Sequence, residues 1–202
     1  MNYFEQILAR IRDIRSSEKD LWKKVLAILK TSRDFSRKDE NYFFSTMQNK
    51  MHYAAHGHTA AEVILERCGA YDFQMGLMSL SGNEPTLEEL HIAKNYLNER
   101  ELDNLNCIVS LYLDFAELQV KNRQIMYMKD WVEKLDEFLQ ISGHNVLKDF
   151  GKYTRQEADE HIKTEWKKYK KILQIEMNRG KPVIKLLPFH FDDGEHLLFG
   201  IV

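Results

Sequence analysis

Apolar residues recur at helical spacing from the start of the chain. Between positions 4 and 29 they fall three and four residues apart, which places them on one stripe of a long helix with a break near Ser16. A second helix is expected to open at Asp39 or Ser45, and the turn containing Gly57 is expected to end it. The first part of the chain is therefore predicted to be helical.

Pairs of threonine and glutamate three residues apart predict three further helix starts. In each pair the hydroxyl and the carboxylate can satisfy exposed N–H groups of a first helical turn. The pairs are Thr59 with Glu62, Thr86 with Glu89, and Thr154 with Glu157. The segment 97–118 is apolar enough for a buried central helix, and an amphipathic segment from Met126 is expected to end near Ser142 and Gly143. We therefore expect a helical bundle.

Two regions depart from the helical pattern. Glycines and a proline in residues 69–85 predict a loop, with a short extended piece at 75–80. After Pro182, two apolar runs flank the turn-rich Asp-Asp-Gly at 192–194, which predicts a β-hairpin. The expected fold is mainly α, a helical bundle with a small carboxy-terminal β-hairpin.

These elements divide the chain into a helical module at 1–180 and a hairpin-like tail at 181–202. Hydrophobic residues at 44%, charged residues at 30% and a net charge of -2 argue against a general attraction to nucleic acid or membrane. Cys68 and Cys107 form no paired motif, so we expect reduced core thiols. With no signal peptide or membrane span in the pattern, a cytoplasmic location is expected.

A cluster of polar side chains between Phe43 and Arg67 predicts a site. Amide, lysine and imidazole groups offer donors for phosphate or carboxylate, so they are candidates to hold an anion or a nucleotide. These candidates are Gln48, Asn49, Lys50, His52, Lys94 and Asn95. The alternative is that the amides satisfy backbone groups at a helix junction. None of these patterns identifies a cofactor.

His52 and His56 share one helical face, and Glu62 could add an oxygen. The HExxH glutamate and a fourth ligand are missing, so polar packing or capping is favoured over a metal site. His52 is also a candidate general base, and Glu62 or Glu66 could orient it as a second catalytic group. No activated nucleophile is recognisable beside it.

Two other motifs carry a structural and a functional interpretation. Lys163 to Lys171 holds five lysines around Trp166 and Tyr169, which suits nucleic acid, but preceding acidic residues favour a solvated face with i,i+4 ion pairs. MYMKDW at 126–131 is typical of core or of a protein contact. An interaction module would expose an apolar patch there or on the first helix.

Four blocks of sequence resemble one known family. They are YFEQILARIRDIRSSEK at 3–19, QNKMHYAAHGHTAAEVILER at 48–67, HIAKNYLNERELDNLNCIVSLYLDFAELQ at 91–119 and MYMKDWVEKLDEFL at 126–139. Together they resemble the RhuM family of virulence-associated proteins. Members generally carry an additional amino-terminal region of a kind found in mobile-element and phage-like DNA-binding proteins, so the resemblance implies the carboxy-terminal portion of such a protein.

The resemblance implies a virulence or mobile-element context without naming a reaction. We expect a protein interaction or oligomerisation module, with a protein partner or a homo-oligomer, and no membrane contact. The alternative is a toxin-like enzyme acting on nucleic acid or a nucleotide, with a site between Gln48 and Glu62.

Overall fold

Helices dominate the part of the chain that the structure describes. A computed structural model describes residues 5–6 and 21–178 of the 202 residues. Between residues 21 and 178 the chain forms seven α-helices and no strand. They are α1 (Leu21–Leu29), α2 (Glu40–His56), α3 (Ala60–Arg67), α4 (Leu87–Leu90), α5 (Glu99–Lys121), α6 (Met128–Ile141) and α7 (Arg155–Asn178). The mainly α prediction is confirmed, and the predicted hairpin after Pro182 lies outside the described residues.

The helix boundaries follow local sequence signals. Helix α2 begins directly after Asp39, and Gly57, with φ of 83°, ends it in the left-handed conformation that glycine adopts without strain. All three predicted capping boxes form, at Thr59, Thr86 and Thr154. The box at Thr86 starts only the four-residue α4. The sequence therefore predicted helix starts better than helix lengths.

The long helix α5 has an N-terminal cap of its own, Asn98, which was not predicted from the sequence. Asn98 accepts the Glu101 N–H, and the Glu101 carboxylate accepts the Asn98 N–H. Between α4 and α5 the chain makes a 3-10 turn, Ala93–Tyr96. Only threonines were predicted as caps, whereas here the side-chain oxygen of an asparagine caps the helix.

The predicted extended piece at 75–80 is wrong for its first two residues, while Leu77 is extended and residues 75–80 form no strand. The chain forms a 3-10 turn at Phe73–Gly76, in which Met75 has a φ of 57° and a buried side chain. The N–H groups of Met78 and Ser79 both donate to the Asn95 carbonyl, at 2.7 and 3.1 Å. The Asn95 carbonyl, in the 3-10 turn Ala93–Tyr96, thus accepts the two backbone N–H groups that would have bonded to a neighbouring strand if this segment belonged to a sheet.

Helix α2 occupies the centre of the bundle, where it packs against α1, α3, α5 and α6, while α3 also packs against α7. The predicted central helix α5 buries Leu105, Val109 and Tyr112, which confirms its place in the core. Leu118 was expected in the core but is 51% exposed, because its position turns it to the outer side of α5. The bundle therefore leaves part of α5 uncovered within the described residues.

Two further expectations are corrected by burial. Cys68 is a buried thiol as predicted, but Cys107 is exposed on α5. Met126, Met128 and Trp131 are buried, so these three residues of MYMKDW belong to the core, whereas Tyr127 in the same motif is 44% exposed. In the described part of the chain, no helix is long and apolar enough to cross a membrane.

Candidate functional site

The corner between α2 and α3 is built by a capping box. Thr59 is extended, with φ of -73° and ψ of 168°, and its hydroxyl accepts the Glu62 N–H. In return the Thr59 N–H donates to Glu62 Oε2 at 2.7 Å. The other carboxylate oxygen, Oε1, accepts the Lys152 N–H at 2.7 Å. One glutamate therefore starts a helix and holds a distant loop.

That loop, residues 143–152 between α6 and α7, is here called the groove loop. Lys50 on α2 is buried and donates to the Leu147 carbonyl at 2.8 Å. The same ammonium contacts both carboxylate oxygens of Asp136 on α6, at 2.9 and 3.0 Å. Lys50 thus ties the middle of the groove loop to two helices.

Gly151 brings the end of the groove loop against α3. Its φ is 85°, and an added Cβ would lie 2.6 Å from Thr59 Cγ2. Only glycine fits both the left-handed backbone and this close approach. The Glu62 bond to Lys152 and the Gly151 contact therefore act together at the α3 end of the loop.

A groove of about 790 Å³ runs between α2, the start of α3, the end of α6 and the groove loop. Its walls include Tyr53 on α2, Gln140 on α6, and Val146 and Leu147 on the loop. Glu62 is the predicted site residue that lines it. The groove combines apolar walls with polar groups, as ligand and peptide sites commonly do.

Charges of both signs face the groove, but its carboxylates bond within the protein. Asp149 Oδ1 accepts the Gly151 N–H at 2.9 Å. Partial burial opposes ionisation of Glu62, but the bonds from Thr59 and Lys152 outweigh it and lower the pKa of Glu62. The ammonium groups of Lys148 and Lys152 belong to exposed residues. The groove therefore offers cations to a ligand more readily than carboxylates.

Two apolar side chains stand in solvent beside this groove. Phe150, between the groove-lining residues Asp149 and Gly151, is 73% exposed, and Ile141, directly after the groove-lining Gln140, is 88% exposed. The loop that carries Phe150 is held on one side at Leu147 and on the other at Lys152. The protein thus presents an aromatic ring on a fixed support.

The predicted histidines form a chain on α2 and the corner that follows it. His52 Nδ1 and His56 Nε2 share a hydrogen bond of 2.8 Å, and the rings of His56 and His58 stack 6.1 Å apart. Burial, reinforced by His56, lowers the pKa of His52 to about 3. Burial also lowers the pKa of His56 to about 4, against the pull of Glu101. Both rings are neutral near pH 7.

The structure encloses His52, whose exposed fraction is 0%. A general base must reach its substrate within hydrogen-bond distance, and an enclosed ring has no such access in this conformation. Among the described residues, no group of three or more His, Cys, Asp or Glu side chains could hold a metal ion. The structure thus joins His52 to His56 by a hydrogen bond inside the bundle.

The other predicted site residues contact different parts of the bundle. Asn49 Oδ1 accepts the Ala60 N–H at 3.3 Å, which helps to cap α3. Asn95 Nδ2 donates to the Glu89 carbonyl at 3.2 Å. Gln48 and Lys94 are half-buried. These bonds place Asn49 and Glu62 together at the α3 start and give Asn95 partners beside α4.

The groove loop and the ion pair of Arg67 with Glu101 were not predicted from the sequence. The Arg67 guanidinium donates two bonds to Glu101, at 2.6 and 2.7 Å, and a third to the Tyr96 carbonyl. No spacing rule links residues 34 positions apart. For the groove loop, the glycines at 143 and 151 were a usable signal, because they bracket an aromatic residue between two helices.

A family model matches most of the chain, whereas no curated protein and no solved structure matches it. The model of the virulence protein RhuM family matches residues 1–177 of the 202, which confirms the resemblance carried by the four sequence blocks. The chain belongs to the virulence protein RhuM family.

Proposed function

We propose that this chain is a protein-binding module, and that the groove with its flanking apolar residues is its docking surface. The observation that carries the proposal is Phe150, 73% exposed on a loop tied down by Lys50 and Glu62. Exposed aromatic residues held on a fixed support are typical anchors of protein interfaces, because binding them costs little conformational entropy.

The partner we propose is a protein segment that carries an apolar side chain beside an acidic one. Tyr53, Val146 and Leu147 supply apolar walls for the first. Lys148 and Lys152 supply cations for the second, since Glu62 and Asp149 already accept N–H groups of the protein. In this binding role, Lys50 and Glu62 position the groove loop.

The buried contacts of Lys50 and His52 support binding over the alternative of a toxin-like enzyme. Lys50 bonds to Asp136 and Leu147, and His52 is enclosed. An enzyme with its centre at these two residues would need them open to a substrate. A binding module needs only the surface that they support.

The test is selection of a random peptide library displayed on phage against the immobilised full chain. We expect enriched peptides that pair an apolar residue with an acidic one. Their binding should weaken at least about tenfold in Phe150→Ala, since anchor truncation commonly costs 2 kcal/mol or more. Tyr71→Ala is the matched control, because Tyr71 is 75% exposed and does not line the groove.

Two results would contradict the proposal. One is enrichment of peptides that bind Phe150→Ala as tightly as the unmodified chain. The other is a selection that yields no binding peptide while the same library gives binders to a known peptide-binding domain. Self-association would be detected by light scattering, and its loss in Phe150→Ala would identify the partner as a second copy of this chain.

A further inference from the structure

Helix α7 carries the lysine-rich segment from Lys163 to Lys171. The way this helix packs determines which of these lysines are open to a ligand. The first half of α7 is fastened to the bundle. His161 Nε2 donates to the Cys68 carbonyl at 2.8 Å, and Glu165 accepts the Ala70 N–H at 3.0 Å. Ile162 is fully buried beside them. One side of α7 is thereby fixed against α3 and the segment that follows it.

The lysines of this segment are exposed and concentrated. They are Lys163, Lys167, Lys168, Lys170 and Lys171. From Trp166 to Ile175 the sequence has no acidic residue, although the net charge of the chain is -2. The positive charge is therefore local to one helix, as a patch must be in a chain without a general basic bias.

Ion pairs neutralise this patch less than its sequence suggests. Lys168 bonds to Glu165 at 2.6 Å, and Lys170 lies over the Trp166 ring at 4.5 Å from its centre. For Lys163, Lys167, Lys170 and Lys171, no carboxylate of the described residues lies within 4 Å. The expected i,i+4 pairs do not form at these four positions, so their charge is directed to solvent.

The four lysines share one side of the helix. At 100° per residue, positions 163, 167, 170 and 171 fall within an arc of about 100°, turned away from the buried Ile162. The first and last of them are eight residue steps apart, or about 12 Å along the axis. Phosphates of one strand lie about 3.4 Å apart along the axis of a stacked helix and farther apart when the strand is extended, so this row is long enough to meet at least two of them.

The surroundings of this row favour a phosphate backbone over a membrane or an acidic peptide. A helix that lies on a membrane must turn its apolar side outward. Here Trp166 and Tyr169 are partly buried and pack against the core. An acidic peptide would need an apolar contact beside the charges, whereas the row itself presents ammonium groups.

We propose that the outer face of α7 binds the phosphate backbone of single-stranded nucleic acid without reading its sequence. Lys163, Lys167, Lys170 and Lys171 would each contact a phosphate as a point charge. The site is independent of the groove, which is lined by other helices. Phosphate binding at this face of α7 needs no net positive charge on the chain as a whole.

The test is fluorescence anisotropy of a labelled oligothymidylate titrated with the full chain at several salt concentrations. We expect a dissociation constant on the order of 10⁻⁵ M at low salt, and a slope of about -2 to -3 for log K against log salt. In the triple variant Lys163→Gln, Lys167→Gln and Lys171→Gln, the magnitude of this slope should fall by about 2, because three phosphate contacts are lost.

The matched control neutralises three lysines elsewhere, Lys121→Gln, Lys129→Gln and Lys134→Gln. These lysines pair with glutamates on α5 and α6, and the control changes the net charge by the same amount. The control should keep the slope of the unmodified chain. Equal loss in both triples would overturn the proposal, since binding would then follow net charge alone.

Two further outcomes would also overturn it. One is the absence of salt-dependent binding to oligothymidylate. The other is binding of the chain to phosphatidylserine vesicles but not to the oligonucleotide, which would assign the lysine row to a membrane surface. Stronger binding to single strands than to the matching duplex would support the proposal.

Discussion

The Lys50 ammonium on α2 and the Leu147 carbonyl of the groove loop lie 2.8 Å apart, with the lysine donating. This bond joins residues 97 positions apart in the sequence and places a cation beneath the groove. Asp136 balances its charge. Because Leu147 is itself buried, the loop is held by both its backbone and its side chain.

Replacing Lys50 should therefore destabilise the protein. Lys50→Met is expected to lower the free energy of unfolding by about 2–4 kcal/mol, because the Leu147 carbonyl and Asp136 lose their shared donor. Urea denaturation measures the change. Lys134→Met is the control: its exposed pair with Glu137, at 2.6 Å, should contribute less than about 1 kcal/mol. Similar losses in both variants would show that Lys50 does not hold the loop.

The substitution Glu62→Gln tests whether Glu62 holds the groove loop in addition to capping α3. Glu62 uses both carboxylate oxygens, one for Thr59 and one for Lys152, and glutamine keeps only one acceptor. We expect a loss of about 1–2 kcal/mol and faster hydrogen exchange of the Lys152 amide.

Glu157→Gln is the matched control for that substitution. In its capping box one carboxylate oxygen, Oε2, accepts both bonds from Thr154, so an amide oxygen can replace it. Its effect should stay below about 0.5 kcal/mol. An unchanged exchange rate for Lys152 in Glu62→Gln would contradict the proposed attachment.

The close approach of Gly151 to Thr59 can be measured against another glycine of similar backbone conformation. Gly151 and Gly143 have φ of 85° and 77°, but an added Cβ meets Thr59 at 2.6 Å only in the first case. Gly151→Ala should cost at least about 1 kcal/mol more than Gly143→Ala, since both share the left-handed backbone penalty. Equal costs in thermal or urea unfolding would argue against the contact.

Stability should fall as the pH falls between about 6.5 and 5. The folded state keeps His52 neutral, with a pKa of about 3, whereas the unfolded chain takes up a proton near the ordinary value of 6.5. The unfolded state thus binds more protons, so the free energy of unfolding rises with pH by up to about 1.4 kcal/mol per unit for this histidine.

This pH range lies above the one in which the carboxylates affect the free energy of unfolding, so the contribution of His52 can be measured apart from theirs. Glu62, Glu89 and Glu101 have lowered pKa values, so their stabilisation is lost only below the ordinary glutamate value of 4.5. Urea denaturation at a series of pH values should show a shallower slope for His52→Gln than for the unmodified chain. An unchanged slope would mean that His52 is not neutral when folded.

Interactions between residues close together in the sequence made much of this fold predictable. Thr59, Glu62 and Gly57 lie within six residues, and their types alone predict the corner that they build. The bond from Lys50 to Leu147 could not be predicted, because it depends on how α2 packs against the groove loop after folding. Lys50 was therefore predicted as a ligand-binding residue, while the structure gives it a buried contact.

Exposure was the other property that sequence patterns did not determine. Met126 and Phe150 are both apolar residues near helix ends, yet the first is 7% exposed and the second 73%. Phe150 lies between Leu147 and Lys152, the two points at which the groove loop is held, and its side chain stays in solvent. Local periodicity does not carry that information.

The central claim is that Phe150 marks the partner-binding surface. Its most direct test places a photo-crosslinking amino acid at position 150 or at position 71 of the full chain in its host cells. The account predicts a discrete crosslinked protein from position 150, and none from the equally exposed position 71. The same crosslinked products from both positions, or none from position 150, would contradict it.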